Sequence, residues 1–185
     1  LPLPPLAKAT AKIALGFVLA VVLWVWAAPA YHGLLLDSVR HLTHLLRGPS
    51  TAFALSGSAL IVSDSDILSK SASLSLAVVS ANAVLLLTLF AAGPWTARGA
   101  WRAAIALVLN CMTNVVGAAI GAQSLLATQF GAWSDRHYST LAQNIWFLLW
   151  QGYELVGTYG IVFGLWWLLR VRGGQTKMRS ARRHS

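Results

Sequence analysis

Glu154 is the one acidic residue inside the long apolar runs of this sequence. An ionisable group in lipid is costly and usually faces the protein interior, so it points to a proton or ion site or a general base. The alternative is a structural glutamate, protonated or hydrogen-bonded to Asn114 or Gln151. Counting ~1.5 Å of rise per helical residue from the outer end of each run puts Asn82 and Asn114 ~12 Å deep and Glu154 ~14 Å deep. Ser80, Thr113, Gln151 and Tyr153 fall near the same level. The spacing predicts a polar layer of Asn82, Asn114, Gln151 and Glu154 shared by three helices. Gly117 and Gly121, and again Gly160 and Gly164, repeat at four-residue spacing, which lets helix backbones approach closely.

The remaining reactive side chains are less organised. His41 and His44 share a helix face, as metal or pigment ligands can, but no acid or cysteine completes a site beside them. They are weak metal candidates, and no metal or other cofactor is assigned. Cys111 lies in an apolar run with no activating base in sight, where a thiol behaves as a small hydrophobe. It is the single cysteine, so no intrachain disulfide framework is possible. His137 follows Asp135 and Arg136 just ahead of the last apolar run.

The elements that position these residues are long helices. The chain of 185 residues is 57% hydrophobic and only 10% charged, against about 25% charged in an average soluble domain. Four runs match the ~20 residues a bilayer core requires: 13–30, 74–92, 103–122 and 145–169. The predicted fold is therefore all-α, a single polytopic membrane domain over 1–185 with four transmembrane helices. Ala28-Pro29-Ala30 after the first run resembles a signal-peptidase site; the run is read instead as a retained anchor helix. Within the outer loop 31–73, Leu34, Leu35, Val39, Leu42, Leu45 and Leu46 recur at helical spacing among charged residues. They predict an amphipathic helix on the membrane surface, stopped by Gly48-Pro49-Ser50. Strand formers from 53 to 62 around Gly57 predict a short hairpin.

Charge gives the orientation. The formal net charge is +9, and basic residues unmatched by acids fall in three places: Lys8 and Lys12, Arg98 and Arg102, and the tail 170–185. By the positive-inside rule these face the cytoplasm, with both termini inside and the loops 31–73 and 123–144 outside. In a bacterium this is the cytoplasmic (inner) membrane. Tryptophans cluster at the two predicted interfaces, Trp95, Trp101, Trp166 and Trp167 inside and Trp24, Trp26, Trp133 and Trp146 outside. The basic tail serves topology, so the expected partners are the lipid bilayer and another membrane protein or client transmembrane segment, with no nucleic acid.

Order and spacing from about Gly57 to Trp167 resemble the exosortase/archaeosortase family, most of all its short exosortase H branch. That resemblance implies a polytopic cysteine transpeptidase processing proteins with C-terminal sorting signals. The family carries a Cys-Asn-Gly or Cys-Ser-Gly motif on one helix, Asn-x-x-Arg on the next, and a histidine before the last. Val78-Val79-Ser80-Ala81-Asn82-Ala83-Val84 stands at the cysteine motif and Asn114-Val115-Val116-Gly117 at Asn-x-x-Arg. His137 stands at the histidine, and Ser56-Gly57-Ser58 resembles the segment ahead of the cysteine. Ala81 replaces the nucleophile and Gly117 the arginine. Cys111 lies one helix too late to substitute. Acyl transfer needs nucleophile, base and oxyanion donor together, so the leading expectation is a non-catalytic exosortase-like protein, a helix-binding or accessory subunit of a membrane complex. Two alternatives stand beside it: an active cysteine transpeptidase, and a pigment- or ion-binding subunit.

Overall fold

The computed structural model describes residues 5–47, 51–64, 70–92 and 96–172. The expectations placed on 48–50, on 93–95 and on the tail beyond 172 lie outside these residues. The described chain is mostly helical: α1 (Pro5–Arg47), α2 (Leu76–Ala91), α3 (Ala97–Thr128), α4 (Ala132–His137), α5 (Thr140–Gly152) and α6 (Thr158–Trp166). One π-helical turn (Tyr153–Gly157) joins α5 to α6, and a second (Trp167–Arg172) follows α6. Three strands, β1 (Thr51–Ser56), β2 (Ala59–Asp64) and β3 (Ser71–Ser75), form an antiparallel sheet in the order β1-β2-β3.

Two helical stretches are long and apolar enough to cross a membrane, Thr10–Leu45 and Ala97–Thr128. Only 11% of the first stretch's most apolar window is buried, against 33% for the second. Its side chains from Ile13 to Trp26 are largely exposed, Trp26 at 84%. A soluble surface rarely exposes so continuous an apolar face. The apolar α2 has 16 residues, short of the ~20 a bilayer core requires.

Three expectations change here. The first predicted run and the separate surface helix are one continuous 43-residue helix that passes through Pro29. Proline removes one backbone donor, yet its fixed φ is helical, and the residues after it keep helical spacing. His32, Leu35, Val39 and Thr43 are the buried positions of that continuation, so the predicted amphipathic periodicity belongs to the second half of α1. The second run does not begin as helix at 74: Ser71–Ser75 pairs with β2, and α2 starts at Leu76. The hairpin gains this third strand, which its serines concealed, since serine signals turns more than strands.

Local chemistry explains the hairpin. Gly57, at φ 60°, is the first of two turn residues, and among the described residues no non-glycine has positive φ. That is the II′ arrangement, whose twist matches the flanking strands. Leu60, Val62 and Asp64 alternate as the buried side of β2.

By its contacts the chain divides into two compact units. One contains Ala27–Ser80 and Cys111–Thr158, the other Leu1–Trp26, Ala81–Asn110 and Tyr159–Ser185. The first holds the larger apolar core, in which Leu35 and Val39 of α1 pack with Leu60 and Val62 of β2 and with Leu126 and Phe130. The second centres on Leu86, Phe90, Ala106 and Val162.

Candidate functional site

The best-connected polar group is built around Asn114. Its side chain is fully buried on α3, in the unit with the larger core. Asn114 Nδ2 donates to the Tyr31 hydroxyl at 2.8 Å, and the Tyr153 hydroxyl donates to Asn114 Oδ1 at 2.9 Å. The two bonds fix the amide's orientation, because only the nitrogen can donate and only the oxygen accept. The Cys111 thiol, one helical turn back on α3, neighbours the Tyr31 hydroxyl.

Tyr153 is seated by glycines. Its ring lies directly over Gly117, in space that a Cβ at 117 would fill. A Cβ at Gly157 would come within 2.8 Å of the same ring. Tyr153 opens the π-helical turn, and both the Thr158 backbone N–H and the Thr158 hydroxyl (3.2 Å) donate to its carbonyl. Such wide turns insert one residue into a helix and re-aim the side chain they carry. Trp150 stacks on Tyr153 with ring centroids 6.0 Å apart, and a Cβ at Gly121 would approach the Trp150 ring to 2.8 Å and Leu74 to 2.9 Å. Gly117 and Gly121 thus admit aromatic rings from the helix that follows α4.

A second polar contact lies in the same unit. Ser80 donates its hydroxyl proton to the Leu76 carbonyl at 2.6 Å, an intrahelical bond. Its oxygen is then the acceptor for His32 Nε2, 3.1 Å away, and this contact is buried.

The predicted layer does not come together as one group. Asn82 is fully buried but belongs to the other unit, where its Oδ1 accepts from Asn110 Nδ2 at 3.0 Å. Gln151 and Glu154 are half-buried and have no hydrogen-bond partner among the described residues, so Glu154 is not tied to Asn114 or Gln151. Gly160 and Gly164 are exposed, and a Cβ at Gly164 would meet nothing within 4 Å.

His137, His41 and His44 are committed to backbone. His137 Nδ1 donates to the Trp133 carbonyl at 2.9 Å, and its ring stacks on Trp133 at 4.2 Å. His41 Nδ1 donates to the Asp37 carbonyl at 2.7 Å, while His44 Nε2 donates to the Thr51 carbonyl at 3.2 Å. No group of three or more His, Cys, Asp or Glu side chains able to hold a metal ion occurs among the described residues.

Sequence reasoning missed Tyr31 and Asn110, and it set His32 beside His41 and His44 at the outer surface rather than with Ser80. One signal was available. Asn110, Asn114, Gly117 and Gly121 recur at helical spacing on α3, and all four are buried. A stripe of small and polar residues on an apolar helix marks the face turned towards protein. Tyr31 and His32 stood at the start of what read as an outer loop, and only the continuation of α1 brings them to Asn114 and Ser80. Set against family models, curated proteins and solved structures, the chain matches none of them.

Proposed function

We propose that this chain is a non-catalytic, exosortase-like membrane protein that acts by holding a transmembrane helix of another protein. One observation carries the reading. At the position of the family's arginine, Gly117, the space is taken by the Tyr153 ring, and the family's asparagine, Asn114, has its amide engaged by Tyr153 and Tyr31. An arginine that stabilises a developing oxyanion would need that space and that access. With Ala81 in place of a nucleophile, the residues at the family positions support packing rather than acyl transfer.

The partner-binding face in this reading contains Gly160 and Gly164, exposed at four-residue spacing beside Tyr159 at 55% and Phe163 at 50% exposure. Small residues at this spacing admit a second helix backbone. Gly164→Leu adds a side chain where nothing inside the chain would meet it, so folding should be unaffected or slightly improved by helix propensity, by about 1 kcal/mol at most. Purified gently from native membranes, this variant should keep its thermal stability and lose most of any membrane protein that accompanies the wild type in constant ratio. Retention of that partner at the wild-type ratio would count against the face.

Membrane placement in this reading is four spans in the cytoplasmic membrane of a bacterium, with both termini inside. The helical stretch from Thr140 to Arg172, continuous through its two π-helical turns, and the apolar α2 are the two further spans of this reading beside α1 and α3. In a Cys111→Ala background, a cysteine at exposed Ser71 should react with an impermeant thiol reagent applied to intact cells. One at exposed Thr96 should react only after lysis. The opposite pattern would reverse the orientation.

A further inference from the structure

Within the unit that contains Asn82, the end of α2, the start of α3 and the last helical turn line an open pocket of about 450 Å³. That is within the range of small-molecule sites, roughly 300–1,000 Å³. Leu87, Phe90, Ala91 and Ala103 make its walls apolar. Among the described lining residues, Arg170 is the one charged side chain. Its Nη2 is withdrawn from solvent and has no hydrogen-bond partner among the described residues. A buried guanidinium N–H without an acceptor is costly, and an anionic acceptor is its strongest complement.

The facing rim adds to the same preference. Thr96 caps α3 by accepting from Gly99 N at 3.0 Å through its hydroxyl and from Ala100 N at 2.9 Å through its carbonyl. The amides of the first helical residues have no acceptor within the helix, and this end of the 32-residue α3 carries the positive pole of its dipole. Exposed Arg98 lies on that first turn. An apolar slot with a cationic mouth fits an amphiphile better than a soluble anion. We propose that this cavity binds an anionic phospholipid, with one acyl chain against Leu87, Phe90 and Ala103 and the phosphate at Arg170 and the α3 N-terminus. The inference rests on membrane placement and is independent of the helix-binding role.

The test uses the full chain in detergent, titrated with phosphatidylglycerol or with phosphatidylcholine of identical acyl chains, reading the thermal unfolding midpoint. Phosphatidylglycerol should raise the midpoint saturably, and phosphatidylcholine should need about tenfold more lipid for the same shift, as expected for one charge-assisted contact. Arg170→Gln should abolish that tenfold preference, and Arg170→Lys should retain part of it. Ala103→Phe, which fills the slot, should remove the response to both lipids. If Ala103→Phe fails to fold, Arg170→Gln decides alone, because Arg170 Nη2 makes no hydrogen bond among the described residues that the change would break. Equal shifts from the two lipids, an unchanged preference in Arg170→Gln, or the full shift from inorganic phosphate alone would each overturn the proposal.

Discussion

Gly117→Ala should destabilise the protein by about 2 kcal/mol or more, although alanine is the better helix former. Two effects oppose each other. Replacing glycine inside a helix gains about 1 kcal/mol from backbone entropy. The new Cβ would fall within the space of the Tyr153 ring, and overpacking of this kind costs about 1–3 kcal/mol. Displacing the ring also breaks the Tyr153 hydroxyl bond to Asn114, at a further cost of about 1 kcal/mol. The sum favours destabilisation because the ring has little room to retreat: Gly157 already hugs its other edge and Trp150 stacks on it. Thermal unfolding in detergent measures the effect. A double-mutant cycle isolates its cause: in a Tyr153→Ala background Gly117→Ala should be neutral or stabilising. A Gly117→Ala single variant more stable than wild type would show that the ring does not occupy this space.

Asn114→Leu should cost about 2–4 kcal/mol, while Glu154→Leu should cost almost nothing. The asparagine is fully buried and bonds two tyrosine hydroxyls. Leucine keeps the heavy-atom branching of asparagine, so the loss is chiefly polar. Each hydroxyl left without its partner costs about 1–3 kcal/mol, lessened where it is only partly buried. Glu154 has no such partner among the described residues and is half-buried, so its removal strands no buried group. Its replacement should change stability by less than about 0.5 kcal/mol, or improve it. Thermal unfolding of both variants side by side checks this ranking. The reverse order would place the polar centre at Glu154.

That ranking departs from the one depth alone suggests. Hydropathy located α1, α2, α3 and the last helical stretch because each carries a long apolar run. Residues Asn82 and Asn114 were found as buried polar positions because lone amides in such runs must find partners. What depth could not reveal was which partners. Asn82 meets Asn110, four residues before Asn114 on α3, and Asn114 meets two tyrosines. Tyr31 was hidden by Pro29, which reads as a helix end and is not one. Tyr153 was visible at the right level, but its approach to Gly117 depends on a π-helical turn that no residue pattern specifies. The same limit concealed β3, whose serines resemble a linker until β2 supplies the pairing edge. Of the four glycines, Gly117 and Gly121 receive rings from within the chain, whereas Gly160 and Gly164 are exposed and a Cβ at Gly164 would meet nothing within 4 Å; spacing treats the two pairs alike.

The central claim is that this protein binds rather than transfers acyl groups, and Cys111 offers the most direct test. It is the single thiol in the sequence, half-buried beside Tyr31, whereas His137, the base that the proposed resemblance would supply, has one ring nitrogen committed to the Trp133 carbonyl. A transpeptidase needs a thiolate activated by a base or cation, and such thiols alkylate faster than free cysteine. The measurement is the rate of iodoacetamide addition to the detergent-solubilised protein at neutral pH, read by intact mass and compared with glutathione in the same buffer. The account predicts alkylation of Cys111 no faster than that of glutathione, with no change in His137→Ala. Alkylation at least tenfold faster than glutathione, slowed by His137→Ala, would contradict it and make Cys111 a catalytic nucleophile.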